Sequence, residues 1–365
     1  MEINEKIIKN LIEKIKQNKK YKHISDLIVK KEILLYLKSS QIKINERLLK
    51  KQEIKSLIKN IRTKLHRIYA SYQTKDKRKR EFYLEELKKI IIQPENKKNK
   101  KIEQNHPKKE LFSPSLEITN NKKIKNNLDR LSNSLEPEHL SQKKEQKSSY
   151  LHLYHNILKI TNTLLSTNIS TKERLNDYQY IYNEIFKITG KPETITDLGC
   201  GLNPLSFPYI NLEKSEISHK LKKEISALNY YAYDIDNEDV KFINDYFEIM
   251  KKLELRGKAK ILDITDINNF NRITRSDIVF MFKLVDLIDE KSRRKKKISE
   301  EIITFLLKNK TRFVVVSFAT KTLSQKSMKL PIRRGFELML LRNNLKFDTF
   351  STSNEVFYVI WTSSK

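Results

Sequence analysis

The stretch "TITDLGCGLNPLSFPYI", Thr194 to Ile210, holds two of the five glycines in a chain of 365 residues. Its first four residues read as a strand, and Gly199 and Gly201 come just behind them, after Leu198. Glycine at such a strand end lets the backbone turn sharply and lets a ligand approach without a Cβ in the way. Downstream, "NYYAYDID", "KAKILDIT", "SDIVFMFKLV", "TRFVVVSFA" and "EVFYVIWTS" read as further strands. Between them "NEDVKFINDYFEIMKKLEL", "SEEIITFLLKN" and "PIRRGFELMLLRNN" carry helical stripes. Apolar strands separated by helix-length segments imply an α/β fold, a mostly parallel sheet covered on both faces. The strongly apolar last strand suits a mixed sheet. Upstream, "YLHLYHNILKITNTLLS" and "STKERLNDYQYIYNEIFKITG" read as two helices, the second stopped by Gly190 with Pro192 just beyond.

The amino-terminal part differs in texture. "EKIIKNLIEKIKQN", "DLIVKKEILLYLKSS" and "KSLIKNIRTKLHRIYASY" place apolar residues at helical spacing, which predicts a small all-α unit over residues 1–73. Residues 74–146 read as a charged, disordered linker, although "TKDKRKREFYLEELKKI" within it has the pattern of one more helix. Residues 147–365 then form the sheet domain with its leading helices.

The formal net charge is +29. Residues 1–150 hold 39 Lys and Arg against 19 Asp and Glu, and residues 151–365 hold 35 against 26. A positive potential concentrated in the helical part attracts polyanions. Overuse of Lys, Ile and Asn by an AT-rich genome is the competing explanation. The single Cys permits no disulfide within the chain, and the seven His show no metal-ligand spacing, so no metal is expected. The apolar runs fall far short of the ~20 residues that span a bilayer, which leads us to expect a soluble, cytoplasmic protein without membrane attachment.

In open α/β sheets, ligands sit outside the carboxyl ends of the strands. An acid, Asp197, precedes the glycine turn, and Asp234 and Asp263 close the next two strands. A dinucleotide fingerprint would place a third glycine where this chain has Pro204, which disfavours a pyrophosphate. An acid suited to ribose hydroxyls, a second suited to an adenine amine and a glycine turn against an amino-acid portion together fit S-adenosylmethionine. The competing reading is a tight turn with helix-capping acids. Cys200 reads as a small packed residue, and Asp286 and Asp289 as either site acids or caps.

"DLGCGLNPL", "STKERL" at 170–175, "SDIVFMFKLVDLID" at 276–289, "VVVSFATKTLS" at 314–324 and "NEVFYVIW" at 354–361 resemble the aminoglycoside-resistance 16S ribosomal RNA (guanine-N7) methyltransferases. "TKLHRIYASY", Thr63 to Tyr72, is similar to part of that family's amino-terminal RNA-binding helical domain. The resemblance implies a Rossmann-like class I S-adenosylmethionine-dependent methyltransferase domain with a seven-stranded sheet, preceded by an all-α domain. It implies Arg174 on the cofactor carboxylate, Gly199 and Gly201 against the methionine part, Asp234 and Ile235 at the ribose, and Asp263 and Ile264 at the adenine. Lys283 would lie at the cofactor and, with Ser317 and Lys321, border the target base. The chain departs from the family at Asn168, where the family has His, and at Lys172, where it has Arg.

Lys59, Arg62, Lys64, His66 and Arg67 fall within three turns of one helix, with Ile61, Leu65 and Ile68 as its inward face, and form the candidate RNA contact. "KSRRKKK", Lys291 to Lys297, is a second candidate. The expected activity is methyl transfer to a base, guanine N7, of 16S ribosomal RNA in the decoding region of the 30S subunit, by a monomer without protein partners. The alternatives are another RNA position, either an rRNA cytosine or a tRNA base, and a non-catalytic RNA-binding or assembly factor.

Overall fold

The computed structural model describes residues 5–40, 51–68, 78–92, 153–210, 227–289, 297–321 and 333–363. Seven strands form one sheet: β1 (Thr194–Leu198), β2 (Leu228–Asp234), β3 (Leu255–Ile261), β4 (Ile278–Phe282), β5 (Phe313–Ala319), β6 (Leu345–Ser351) and β7 (Glu355–Thr362). Their order is β3-β2-β1-β4-β5-β7-β6. β1 pairs in parallel with β2 and β4, whereas β7 runs antiparallel to both β5 and β6. The order reverses at β1, so the carboxyl end of β1 is the crevice where such sheets bind ligands.

The central strands alternate between two apolar cores. Ile195, Ile278, Phe280, Val315 and Phe357 face one, and Leu198, Val279, Met281, Val316 and Tyr358 face the other. This is the period-2 consequence of covering both faces. The first core is closed by α7 (Tyr178–Thr189), the short α8 (Phe207–Ile210), α9 (Asn237–Met250) and a helical segment over 153–165, here α5. The second is closed by the short α10 (Val285–Asp289), α11 (Ile298–Asn309) and α12 (Arg334–Arg342).

Three sequence expectations are corrected. The segment expected as one helix before Gly190 is two, α6 (Ile169–Glu173) and α7. Asn168 caps α6 by accepting from the Ser170 backbone N–H at 3.0 Å, and the break that follows turns Arg174 into the interior, 3% exposed. The third strand begins at Leu255, inside the run read as a helix, because α9 ends at Met250 and Glu254 turns the chain in a left-handed conformation. The stretch assigned to a linker contains α4 (Arg80–Ile92), whose Leu84, Leu87 and Ile91 belong to the first core. Arg80 anchors it: its guanidinium donates to Asp239 Oδ1 at 2.6 Å and to Thr167 Oγ1 at 2.7 Å, all within the interior. The remainder of that stretch, residues 74–77 and 93–146, lies outside the described residues, as do Lys291 to Lys296 of "KSRRKKK".

α1 (Glu5–Lys16), α2 (Asp26–Ser39) and α3 (Lys51–Ile68) enclose a separate core built on Ile8, Leu11, Ile15, Val29, Ile33 and Leu57. This unit rests on the sheet at the end of β2. Ile24 bridges Asp236, the Asn237 N–H donates to the His23 carbonyl at 3.0 Å, and Ile235 packs against the helical core. Among the described residues no helix is long and apolar enough to cross a membrane.

Candidate active site

The glycine turn after β1 is held by the neighbouring strand: the Gly199 and Cys200 N–H groups both donate to the Tyr233 carbonyl, at 2.8 and 3.1 Å. Gly199 and Gly201 have φ of 63° and 49°, left-handed values that L side chains rarely adopt. A Cβ on Gly199 would fall 2.7 Å from Leu284 Cδ1, whereas one on Gly201 would meet only Asn168 Nδ2 at 3.6 Å. Both positions call for glycine by conformation, and at Gly199 a Cβ would in addition have to displace the end of the Leu284 side chain.

A cavity opens beside this turn. Every residue expected at a cofactor lines it: Arg174, Gly199, Gly201, Asp234, Ile235, Asp263, Ile264 and Lys283. Asp197, Asn168, Leu262, Phe282, Leu284 and Ile288 complete much of the wall. Asp234 ties two strand ends together. Its Oδ2 accepts from the Gly201 N–H at 2.8 Å, and its Oδ1 accepts from the Ile235 and Asp236 N–H groups at 2.7 and 3.1 Å. Burial and the nearby Asp239 nevertheless raise its pKa, with those three N–H groups opposing them. Asp197 is 1% exposed and accepts from Asn203 Nδ2 at 2.9 Å and the Tyr230 hydroxyl at 2.7 Å. Burial outweighs these bonds and pushes its carboxyl up to about 7.

Also on the cavity wall, Arg174 is gripped by Glu355, a residue that the sequence reading passed over. Nε donates to Oε1 at 2.7 Å and Nη2 to Oε2 at 3.1 Å. Lys283, with φ of 53°, places its ammonium 2.5 Å from Glu173 Oε2 and 3.2 Å from Glu355 Oε1. Two cations and two carboxylates thus form a charge-balanced cluster. Burial would raise the Glu355 pKa, but the charges of Arg174 and Lys283 and the bonds it accepts hold it below the ordinary value.

Asp263, just beyond β3, accepts from the Thr265 N–H and Oγ1 on its Oδ1, at 2.9 and 2.6 Å. Its Oδ2 accepts from the Lys31 ammonium of α2 at 2.6 Å. Burial would raise its pKa; the bonds from Lys31 and Thr265 and the Lys31 charge outweigh that and lower it.

Other expected residues fall elsewhere. Ser317 is fully buried and donates to Glu355 Oε2 at 2.6 Å, so it supports the charge cluster and does not line the cavity. Lys321 is also absent from the lining. Asp289 accepts from the Ser299 N–H and hydroxyl at 2.9 and 2.7 Å, which makes it a brace at the start of α11, and Asp286 pairs with Arg333. Cys200 is packed at 5% exposure, its thiol pKa raised by burial.

On the helical unit, Lys59, Arg62 and His66 share a concave surface with Lys14, Lys20 and Lys55, without an acidic residue in its lining. Arg62 also braces α1, donating to the Lys14 and Ile15 carbonyls at 2.6 and 3.2 Å. Lys64 lies apart from this surface, paired with the buried Glu32. Ile61 and Leu65 are buried as expected; the Arg67 and Ile68 side chains lie outside the described residues.

A 3-2-1-4-5-7-6 sheet with an antiparallel seventh strand and a glycine turn at its reversal point defines a Rossmann-like, class I S-adenosylmethionine-dependent methyltransferase fold. The crystal structure of the 16S rRNA methyltransferase RmtF in complex with S-adenosyl-L-homocysteine matches it with a TM-score of 0.55 at 15% identity, over 98% of each chain. That of the 16S rRNA methylase RmtB matches with a TM-score of 0.54 at 15% identity, over the whole of each chain.

The family model described as Ribosomal RNA methyltransferase (FmrO) matches residues 157–359, and the chain belongs to that family. A 16S rRNA (guanine(1405)-N(7))-methyltransferase of Frankia casuarinae is 26% identical over 198 residues, 54% of this chain and 62% of that one. Its counterpart in Micromonospora echinospora is 26% identical over 199 residues, 54% of this chain and 64% of that one. The chain therefore spans somewhat under two thirds of the length of the curated relatives it matches, and the family match over residues 157–359 does not include the helical unit.

Proposed function

We propose that the protein is an S-adenosylmethionine-dependent methyltransferase that modifies guanine N7 in the decoding region of 16S ribosomal RNA. The observation that carries this reading is the convergence of Arg174, Gly199, Asp234 and Asp263 on one cavity at the carboxyl ends of β1, β2 and β3, in a chain of this family. The cavity fits the cofactor in parts. Asp234 Oδ2 has capacity for a further donor and suits a ribose diol, Leu262, Ile264 and Ile288 offer apolar contact for a purine, and Arg174 keeps N–H groups beyond the two on Glu355 for a carboxylate. Such a cofactor supplies a methyl group activated on a sulfonium.

Guanine N7 carries a lone pair and no proton, so the protein's task is alignment and exclusion of water; a general base is unnecessary. The apolar wall of Phe282, Leu284 and Ile288 performs the exclusion. Lys283, alone among the three candidates for contact with the base, lines the cavity. We assign RNA binding to the helical unit, where the basic concavity of Lys14, Lys20, Lys55, Lys59, Arg62 and His66 suits a run of phosphates.

The test is incubation of the full chain and labelled cofactor with 30S subunits, naked 16S RNA and tRNA, with the modified base mapped by mass spectrometry. Label on a guanine of the 30S decoding region, absent with Asp234→Ala, is expected. Label only in tRNA, or none with any RNA, would overturn the assignment.

A further inference from the structure

One wall of the cavity is also the seat of the helical unit. Ile235 and Asp236, which line the cavity, are the residues on which the 23–25 segment rests: Ile24 bridges Asp236, and the Ser25 N–H donates to the Ile235 carbonyl at 3.3 Å. Lys31 extends this seat to the end of β3. Its ammonium lies 2.6 Å from Asp263 Oδ2 and 2.6 Å from Thr265 Oγ1, and Thr265 Oγ1 donates onward to Asp263 Oδ1. A three-membered ring of bonds thus joins α2 to two cavity-lining residues across more than 230 positions of sequence.

A carboxylate has about four lone-pair sites. Three of those on Asp263 are taken, two by Thr265 and one by Lys31. One site on Oδ2 remains for a donor from within the cavity, and Lys31 fixes the rotation of the carboxylate that decides where this site points. Lys31 also supplies the counter-charge for a group that is only 19% exposed.

We propose that Lys31 is a positioning residue for the adenine amine, acting through Asp263, and that it couples occupancy of the cavity to the seating of the helical unit. This rests on reading the cavity as an S-adenosyl cofactor site. With Lys31 in place, an exocyclic amine meets a carboxylate already oriented and charged. By linkage, the ligand that uses this carboxylate strengthens the hold of α2 on the sheet to the same degree. The RNA-binding surface assigned to α1 and α3 is carried on the same rigid core as α2, so a loaded cavity presents it in a fixed pose.

Calorimetry with S-adenosylhomocysteine and its inosine analogue, which carries a carbonyl in place of the amine, tests this on the full chain. Lys31→Gln is expected to weaken the adenosine ligand about 5-fold to 10-fold while leaving the inosine analogue unchanged, and Lys31→Arg to retain most of the affinity. Hydrogen exchange of the amides in Asp26–Ser39 is expected to slow on adding S-adenosylhomocysteine to the wild type and to be unresponsive in Lys31→Gln. Binding by the wild type with equal affinity in Lys31→Gln, or with no change in exchange over α2, overturns the coupling and leaves the cofactor reading intact. No binding by the wild type would remove the cofactor reading itself and the proposal with it. The wild-type exchange measurement decides the matter even if the variants fail to fold.

Discussion

Glu355, the first residue of β7, holds Arg174 through two parallel hydrogen bonds of 2.7 and 3.1 Å, and neither side chain is more than 3% exposed. The pair joins the break between α6 and α7 to the start of β7. Removing one partner of such a pair strands the other charge in the interior. Glu355→Ala should therefore lower unfolding stability by about 3–5 kcal/mol, because Arg174 and Lys283 lose their shared counter-ion. Glu355→Gln should cost less, since its amide oxygen still accepts a bond. Urea titration followed by circular dichroism measures both, and a Glu355→Ala protein as stable as wild type would refute the ordering.

Gly199 carries the second prediction. Its φ of 63° and the 2.7 Å approach of Leu284 to any added Cβ make even alanine unfavourable there. The obstruction is the end of a flexible leucine, so it can move, and the remaining cost is chiefly the left-handed backbone. Gly199→Ala should lose about 1–2 kcal/mol of stability and weaken S-adenosylhomocysteine at least tenfold. Gly201→Ala, with ordinary contacts around its Cβ, should lose stability by a similar amount with a smaller effect on binding. Parallel melting curves and calorimetry separate the two effects.

Buried Arg80 provides a test of where the sheet domain begins. Its bonds to Asp239 and Thr167 pin α4 to α9 and to the end of α5. Arg80→Met should destabilise by about 3–5 kcal/mol, and the double variant with Asp239→Leu should recover part of the loss, because the buried carboxylate that faced Arg80 is then removed with it. Deletion of residues 1–74, which leaves α4 in place, should preserve the core that α4 helps to close, as judged by tyrosine fluorescence.

Strand ends were the most legible part of the sequence, because a covered parallel sheet writes itself as apolar runs and the acid or glycine that stops each run is conspicuous. Asp197, Gly199, Asp234 and Asp263 were found in this way. β6 was not, since it is an edge strand whose "LKFDTFS" pattern is mostly exposed and lacks a continuous apolar face. The α6–α7 break was invisible because no Gly or Pro marks it; only Asn168 and Asp177, both capable of capping, hinted at two helix starts. Glu355 did leave a signal, an acid opening the otherwise apolar run "EVFYVIW". Lys31 left none. Its partner lies on another unit, and nothing in a lysine-rich amphipathic helix distinguishes the one lysine that meets a strand end.

Asp197 makes stability depend on pH in a definite direction. Its carboxyl ionises near 7 when folded, against an ordinary value of 3.8, because burial outweighs the Asn203 and Tyr230 bonds and the attraction of Arg174. Below the ordinary value both states hold the proton and the group contributes no pH dependence. Between about 4 and 7 the folded protein keeps the proton while the unfolded chain releases it, so the stabilisation from the neutral form declines as pH rises. Above that range the folded protein carries a buried charge. Asp197→Asn removes the titration while keeping an amide that can bond Asn203 and Tyr230. The stability of the wild type relative to Asp197→Asn should therefore fall by about 1.4 kcal/mol per pH unit from pH 5 to pH 7 and level off by pH 8. Denaturant titrations of both proteins at each pH measure this difference, in which pH effects common to the two cancel. A flat difference over this range would mean that Asp197 is ionised in the folded protein throughout it, its partners offsetting its burial.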